Sequence, residues 1–164
     1  AFGRTCVPPE GPTDASVMVI LEAPGWQEVK SRRPAVGPAG KILNECLVAA
    51  GIQRVDIRVE NTVGCVDMDR EDRRPLPAGI QACRPRLMGD IEEIQPRVIV
   101  CCGGVAISTF FPGFTVSKVR GMVRAWKGVP VVATYHPAYA LPFRSPQVKP
   151  LIIEDLKKAR ELGG

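Results

Sequence analysis

The chain has 164 residues, 45% apolar and 24% charged, with 22 Lys and Arg against 17 Asp and Glu. This composition excludes a disordered chain, and the length suits a single domain over residues 1–164 that buries roughly 70% of its unfolded surface. The longest apolar run, Val98 to Ile107, holds two glycines and falls well short of the roughly 18 residues of a membrane helix. The opening residues lack the pattern of a secretory leader, so a monomeric, cytoplasmic protein with no membrane contact is expected. The net charge of +5 favours a polyanionic partner or reflects only a solvated basic face.

In chain order, Val17 to Leu21 (VMVIL) reads as a short buried strand. Gly40 to Ala50 follows with Ile42, Leu43, Leu47 and Ala50 at helical spacing, and Gly51 as its C-cap. Asp56 to Asn61 alternates polar and apolar residues, as a strand does. Pro77 to Ile94 carries a helical stripe of Ile80, Cys83, Leu87, Ile91 and Ile94, which Pro85 is expected to kink or interrupt. Val98 to Cys102 (VIVCC) and Val129 to Ala133 (VPVVA) are continuous apolar runs, and Gly104 to Phe110 is a short helix. Pro150 to Leu162 closes the chain as a helix with Ile152, Leu156 and Ala159 on one face. Strands that alternate with helices imply an α/β fold with a parallel sheet covered on both faces. Ligands in such sheets bind beyond the carboxyl ends of the strands. That rule selects the loops Glu22–Gly37, Asn61–Pro77, Cys102–Gly104 and Thr134–Pro146.

Cysteines stand at 6, 46, 65, 83, 101 and 102. No secretory context supports a disulfide framework, and no CxxC pair marks a metal site. Cys101 and Cys102 read as buried free thiols.

Three of the loops carry unusual residues. The first, LEAPGWQEVKSRRPAVGPAGK, turns at Pro24-Gly25 and enters a helix through Gly37 to Gly40. Its backbone amides suit an anion or form an ordinary strand–helix connection. Its glycine spacing matches neither a Walker motif nor a dinucleotide fingerprint. Asn61 ends the second strand, where an amide either caps a turn or reads a planar heterocycle. An amide oxygen and NH2 match the N3–H donor and O4 acceptor of uracil. His136, the one histidine, follows the last strand and is placed either as a packed residue or as a neutral donor to developing negative charge. After it come Leu141, Phe143 and Arg144, residues suited to wedging a base stack and gripping phosphate.

With these residues in view, the chain resembles the uracil-DNA glycosylases, most closely the thermophile-type iron–sulfur group, family 4. The resemblance rests on LEAPG (21–25), RPAVGPAGKILN (33–44), ENTVGC (60–65), PLPAGIQACRPRL (75–87), PRVIVCCGGVA (96–106), SKVRG (117–121) and PVVATYHPAYAL (130–141). It implies a three-layer α/β/α domain around a four-stranded parallel sheet, and hydrolysis of the N-glycosidic bond of a uracil flipped out of DNA. By motif, Glu22 and Ala23 would place the base and the attacking water, alongside Gly25. Asn61 would read uracil, and His136 would stabilise the departing anion. Lys118, Arg120, Leu141 and Arg144 would contact DNA, with Arg32 and Arg33 as weaker candidates.

The chain departs from the family pattern in three places. Leu21 replaces a glycine, and Val29 stands where an acid is common. Ala35 occupies the position of an aromatic that stacks on uracil, a loss of about 1–3 kcal/mol of base binding, for which Trp26 is a substitute. Cys65 and Cys83 match two of four ligands to a [4Fe-4S] cluster, and Cys6 does not match the others. The segment VDMDREDRRPLP lacks the histidine that a covalent-trapping relative uses. The expected function is therefore a DNA-repair uracil glycosylase. The alternatives are a weakly active or inactive DNA-binding module, or a glycosylase for another deaminated base such as hypoxanthine or xanthine.

Overall fold

A computed structural model describes residues 4–67 and 74–164 of the chain. Part of the VDMDREDRRPLP segment, residues 68–73, lies outside the described residues. The elements run β1 (Arg4–Cys6), β2 (Val17–Leu21), α1 (Trp26–Ser31), α2 (Pro38–Ala49), β3 (Arg58–Asn61), β4 (Cys65–Asp67) and α3 (Pro77–Ile94). They continue with β5 (Val98–Cys102), α4 (Gly104–Phe110), α5 (Val116–Val119), β6 (Val123–Trp126), β7 (Val129–Thr134) and α6 (Lys149–Gly163).

The central sheet has the order β3-β2-β5-β7-β6. Its first four strands are parallel, as expected, and β6 joins β7 antiparallel at the edge. Both faces are covered. Val17, Val19 and Leu21 of β2, with Val98, Val100 and Cys102 of β5, pack on Leu43 and Leu47 of α2 and Ile152 and Leu156 of α6. The alternate residues Met18, Ile20, Ile99 and Cys101 pack on Leu87 and Ile91 of α3 and Ile107 and Phe110 of α4. Successive side chains of an extended strand point to opposite faces, so a strand apolar throughout requires a helical layer on each side. No helix of the described residues is long and apolar enough to cross a membrane.

The structure corrects the sequence expectations in several places. α3 runs unbroken through Pro85. Pro85 lies on the exposed side of the helix, where water can replace the lost hydrogen bond, while Leu87, Ile91 and Ile94 hold the buried side. β6, an edge strand with only a weak apolar pattern, was not expected from the sequence and is joined to β7 by a two-residue turn. Lys127 and Gly128 have φ of 47° and 80°, both positive as a type I′ hairpin turn requires.

β1 and β4 form a separate antiparallel ribbon in which Cys6 lies opposite Cys65, and these two cysteines are joined in a disulfide. The sequence hid this pairing because the partners are 59 residues apart. Burial pushes the Cys46 thiol up to about 11 and raises the Cys101 and Cys102 thiols well above the usual range. Cys83, on α3, is half-buried and free. Peptide mapping of unreduced protein is expected to recover Cys6 linked to Cys65, with Cys83 the first thiol to be alkylated. Recovery of Cys6 and Cys65 as two alkylated thiols would contradict the pairing.

Candidate active site

The strands deliver Leu21, Asn61 and Thr134 to the same edge of the sheet. There a cavity of about 340 Å³ opens, lined by Ala23, Gly25, Trp26, Ala35, Asn61, His136 and Leu141 among others. It lies where strand order reverses around β2, the position at which doubly wound sheets bind ligands.

Asn61 is the last residue of β3 and is 5% exposed. Its carbonyl accepts a hydrogen bond from Arg86 Nη2 at 2.8 Å. The same guanidinium donates to the fully buried Glu60 at 2.9 Å and to Asp90 at 3.1 Å. Asn61 is thus fixed from behind by a charged cluster, which leaves its side chain to the cavity.

His136 follows β7 and caps the short 3-10 turn Pro137–Ala140. Its Nδ1 accepts the Ala138 N–H at 3.1 Å, so the ring proton resides on Nε2. Burial, assisted by the charge of Arg144, lowers its pKa to about 4. The imidazole is therefore a neutral donor across the physiological range. Gly103, at φ +92°, gives it room, because a Cβ there would meet His136 Cβ at 3.1 Å.

The loop before α2 forms another wall. Ala35 is buried and adopts φ +51°, a left-handed conformation costly for a residue with a Cβ. Gly40 allows α2 to press against this loop, since a Cβ at 40 would lie 2.2 Å from the carbonyl of Ala35. Trp26, the first residue of α1, is 52% exposed at the cavity rim.

Of the three side chains expected to converge, Asn61 and His136 meet at this cavity and Glu22 does not line it. Leu21 and Ala23 line the cavity, and Glu22 sits between them at the bend where the chain leaves β2. Its carbonyl accepts the Val63 N–H at 3.0 Å. Gly25, Ala35 and Leu141 all line the cavity. Phe143 stands 81% exposed beyond it, and Arg144 lies 4.3 Å over the Tyr139 ring.

The basic residues divide into two groups. Lys118 is exposed in α5, in a turn whose Gly121 N–H binds the Ala133 carbonyl beside the strand end that carries His136. Arg120 of the same turn is held internally, donating to Asp155 at 3.0 and 2.7 Å. Asp155 is fully buried and also accepts from Thr134 Oγ1 at 2.7 Å. A buried carboxylate demands such partners, and Arg120 is therefore corrected from a DNA contact to a fold anchor. Arg33 is paired with Glu10 at 2.6 Å, while Arg32 is exposed at the end of α1.

Sequence reasoning missed Glu28 and Arg54. Glu28 lines the cavity and receives the N–H groups of Gly25, Val36 and Gly37. Arg54 donates to the carbonyls of Pro34 and Ala35. Only the short spacing of Glu28 from Gly25 was visible in the sequence.

Residues 8–157 match the uracil DNA glycosylase superfamily. A type-4 uracil-DNA glycosylase of Thermotoga maritima is 40% identical over 154 residues, which is 92% of this chain and 79% of that protein. The type-4 uracil-DNA glycosylase of Archaeoglobus fulgidus is 38% identical, covering 96% of this chain and 82% of the relative. That of Sulfurisphaera tokodaii is 36% identical, covering 98% and 76%.

Proposed function

Because the chain belongs to the uracil DNA glycosylase superfamily, and within it to the type-4 uracil-DNA glycosylases, we propose that it hydrolyses the N-glycosidic bond of uracil in DNA. The products are free uracil and an abasic site. The observation that carries this reading is the pairing of Asn61 and His136 in one cavity at the carboxyl edge of the sheet.

A base inside a duplex cannot reach such a cavity, so the uridine is flipped out of the stack. The Asn61 side-chain oxygen accepts the N3–H of uracil, and its NH2 donates to O4. Cytosine presents a donor and an acceptor in the opposite order and is refused. As the C1′–N1 bond breaks, its electron pair passes to the base and collects on O2, where the neutral His136 Nε2–H donates. Water then attacks the electron-poor C1′, and the proton it releases passes through solvent to the uracil anion, which leaves as neutral uracil. Ala23, which lines the cavity, holds base and water through its backbone, with Glu22 beside it. Trp26 takes up part of the stacking that Ala35 lacks.

The resemblance implies a structural [4Fe-4S] cluster. Cys65 is engaged with Cys6, Cys83 remains as a single thiol, and no group of three or more His, Cys, Asp or Glu suited to a metal occurs among the described residues. The described residues therefore do not fit a four-thiolate cluster, and no step of the reaction is assigned to one.

Lys118 and Arg144 are the cations that grip the flanking phosphates, and Leu141 with the exposed Phe143 forms the wedge that holds the stack open. Two phosphate contacts give a log–log salt slope of about −2 for duplex DNA. Changing Lys118 or Arg144 to Ala is expected to reduce that slope by about one for every sequence alike. Unchanged slopes in both variants would make these residues part of a merely solvated face.

The reading is tested by incubating the protein with matched oligonucleotides carrying one uracil, thymine, cytosine, hypoxanthine or xanthine. Alkaline scission at uracil is the expected result. Scission at hypoxanthine would favour a second reading, for which the methyl of Ala35 in place of a ring is the supporting observation. No scission at any base would leave a DNA-binding module.

A further inference from the structure

The pocket wall formed by residues 34–37 is gripped on both its donor and its acceptor groups. From one side, Glu28 Oε2 receives the Val36 and Gly37 N–H groups at 2.9 and 2.5 Å, while its Oε1 receives Gly25 N–H at 2.9 Å. From the other side, Arg54 donates to the Ala35 carbonyl at 2.6 Å and to the Pro34 carbonyl at 2.5 Å. Arg54 is steadied in turn by Asn44 at 3.0 Å and Glu10 at 3.1 Å. One carboxylate thus ties the turn after β2 to the loop before α2, and both segments bear parts of the cavity lining.

The glycines at both attachment points fit this arrangement. A Cβ at Gly25 would lie 2.8 Å from Glu28 Oε1, and one at Gly37 would lie 3.0 Å from Oε2. Between the grips stands Ala35, at φ +51°. A residue with a Cβ keeps that conformation only where its surroundings over-determine it. Released, it would relax to negative φ and carry the wall away from the base.

We propose that Glu28 and Arg54 are positioning residues that set the width of the base pocket, by clamping the 34–37 loop against the Gly25 turn. This rests on the uracil-excision reading for its kinetic consequences, though not for the clamp itself. Glu28→Gln is the informative change. A glutamine has one acceptor oxygen, so it can hold the Gly25 side or the Val36–Gly37 side but not both. The wall meets the base in ground state and transition state alike, so the loss falls on KM and leaves kcat nearly intact.

The test combines steady-state kinetics on a uracil oligonucleotide with hydrogen exchange of the Val36 and Gly37 amides, for wild type, Glu28→Gln and Arg54→Met. Both variants are expected to raise KM roughly tenfold to a hundredfold and to speed exchange at Val36 or Gly37. Wild-type KM and wild-type exchange in either folded variant would overturn the proposal. A fall in kcat at constant KM would overturn it too. Wild-type protein inactive on uracil would defeat the functional reading alone, because exchange still reports the clamp.

Discussion

Replacing His136 with Ala is expected to lower kcat for uracil release by about 10²–10³-fold, the typical cost of removing one donor aimed at developing negative charge. The loss falls on kcat because O2 carries little charge until the glycosidic bond stretches. The pH dependence separates this role from protonation chemistry. An imidazole with its pKa lowered to about 4 stays neutral from pH 8 down to pH 5, so wild-type activity shows no inflection near 6.5 from this residue. An inflection at 6.5 that disappears in His136→Ala would show instead that the imidazolium takes part. Stability carries the matching signature. Between pH 6.5 and 4 the unfolded chain binds a proton at His136 that the folded chain refuses. The stabilisation complete above pH 6.5 is therefore lost as pH falls toward 4, and His136→Ala flattens that part of the curve.

Asn61→Ala is the second large effect. It removes a two-point contact to the base worth about 1–3 kcal/mol of discrimination, so kcat/KM for uracil falls roughly tenfold to a hundredfold. The salt slope stays unchanged, because the side chain meets the base and not the backbone. The Arg86 anchor grips the Asn61 carbonyl, which the substitution retains, so β3 keeps its end. A variant whose loss appears as a changed salt slope would show that Asn61 acts on phosphate placement instead.

The layers of the fold were legible because β2 and β5 are apolar at every position and the helices between strands show clear stripes. Asn61 and His136 were legible for a related reason. A polar residue at the carboxyl end of a buried parallel strand stands at the one edge where ligands bind. Glu22 shows the limit of that reasoning. Position after a strand does not fix which residues of the following bend line the cavity, and here these are Leu21 and Ala23. Arg120 shows another limit, since a basic turn residue read as a phosphate contact is satisfied by a buried Asp155 on a helix 35 residues away. Long-range partners leave no local pattern, and the Cys6–Cys65 bond and the Arg54 grip on residues 34 and 35 were hidden for the same reason.

The most direct measurement is the release of free uracil, counted against abasic sites, in a single turnover of wild-type protein and His136→Ala on a single-uracil oligonucleotide. The expected result is one free uracil per abasic site with wild type, and the same products formed about 10²–10³-fold more slowly with the variant. Wild-type protein that binds the oligonucleotide and releases no uracil, or a variant that releases it at the wild-type rate, would contradict excision by this cavity.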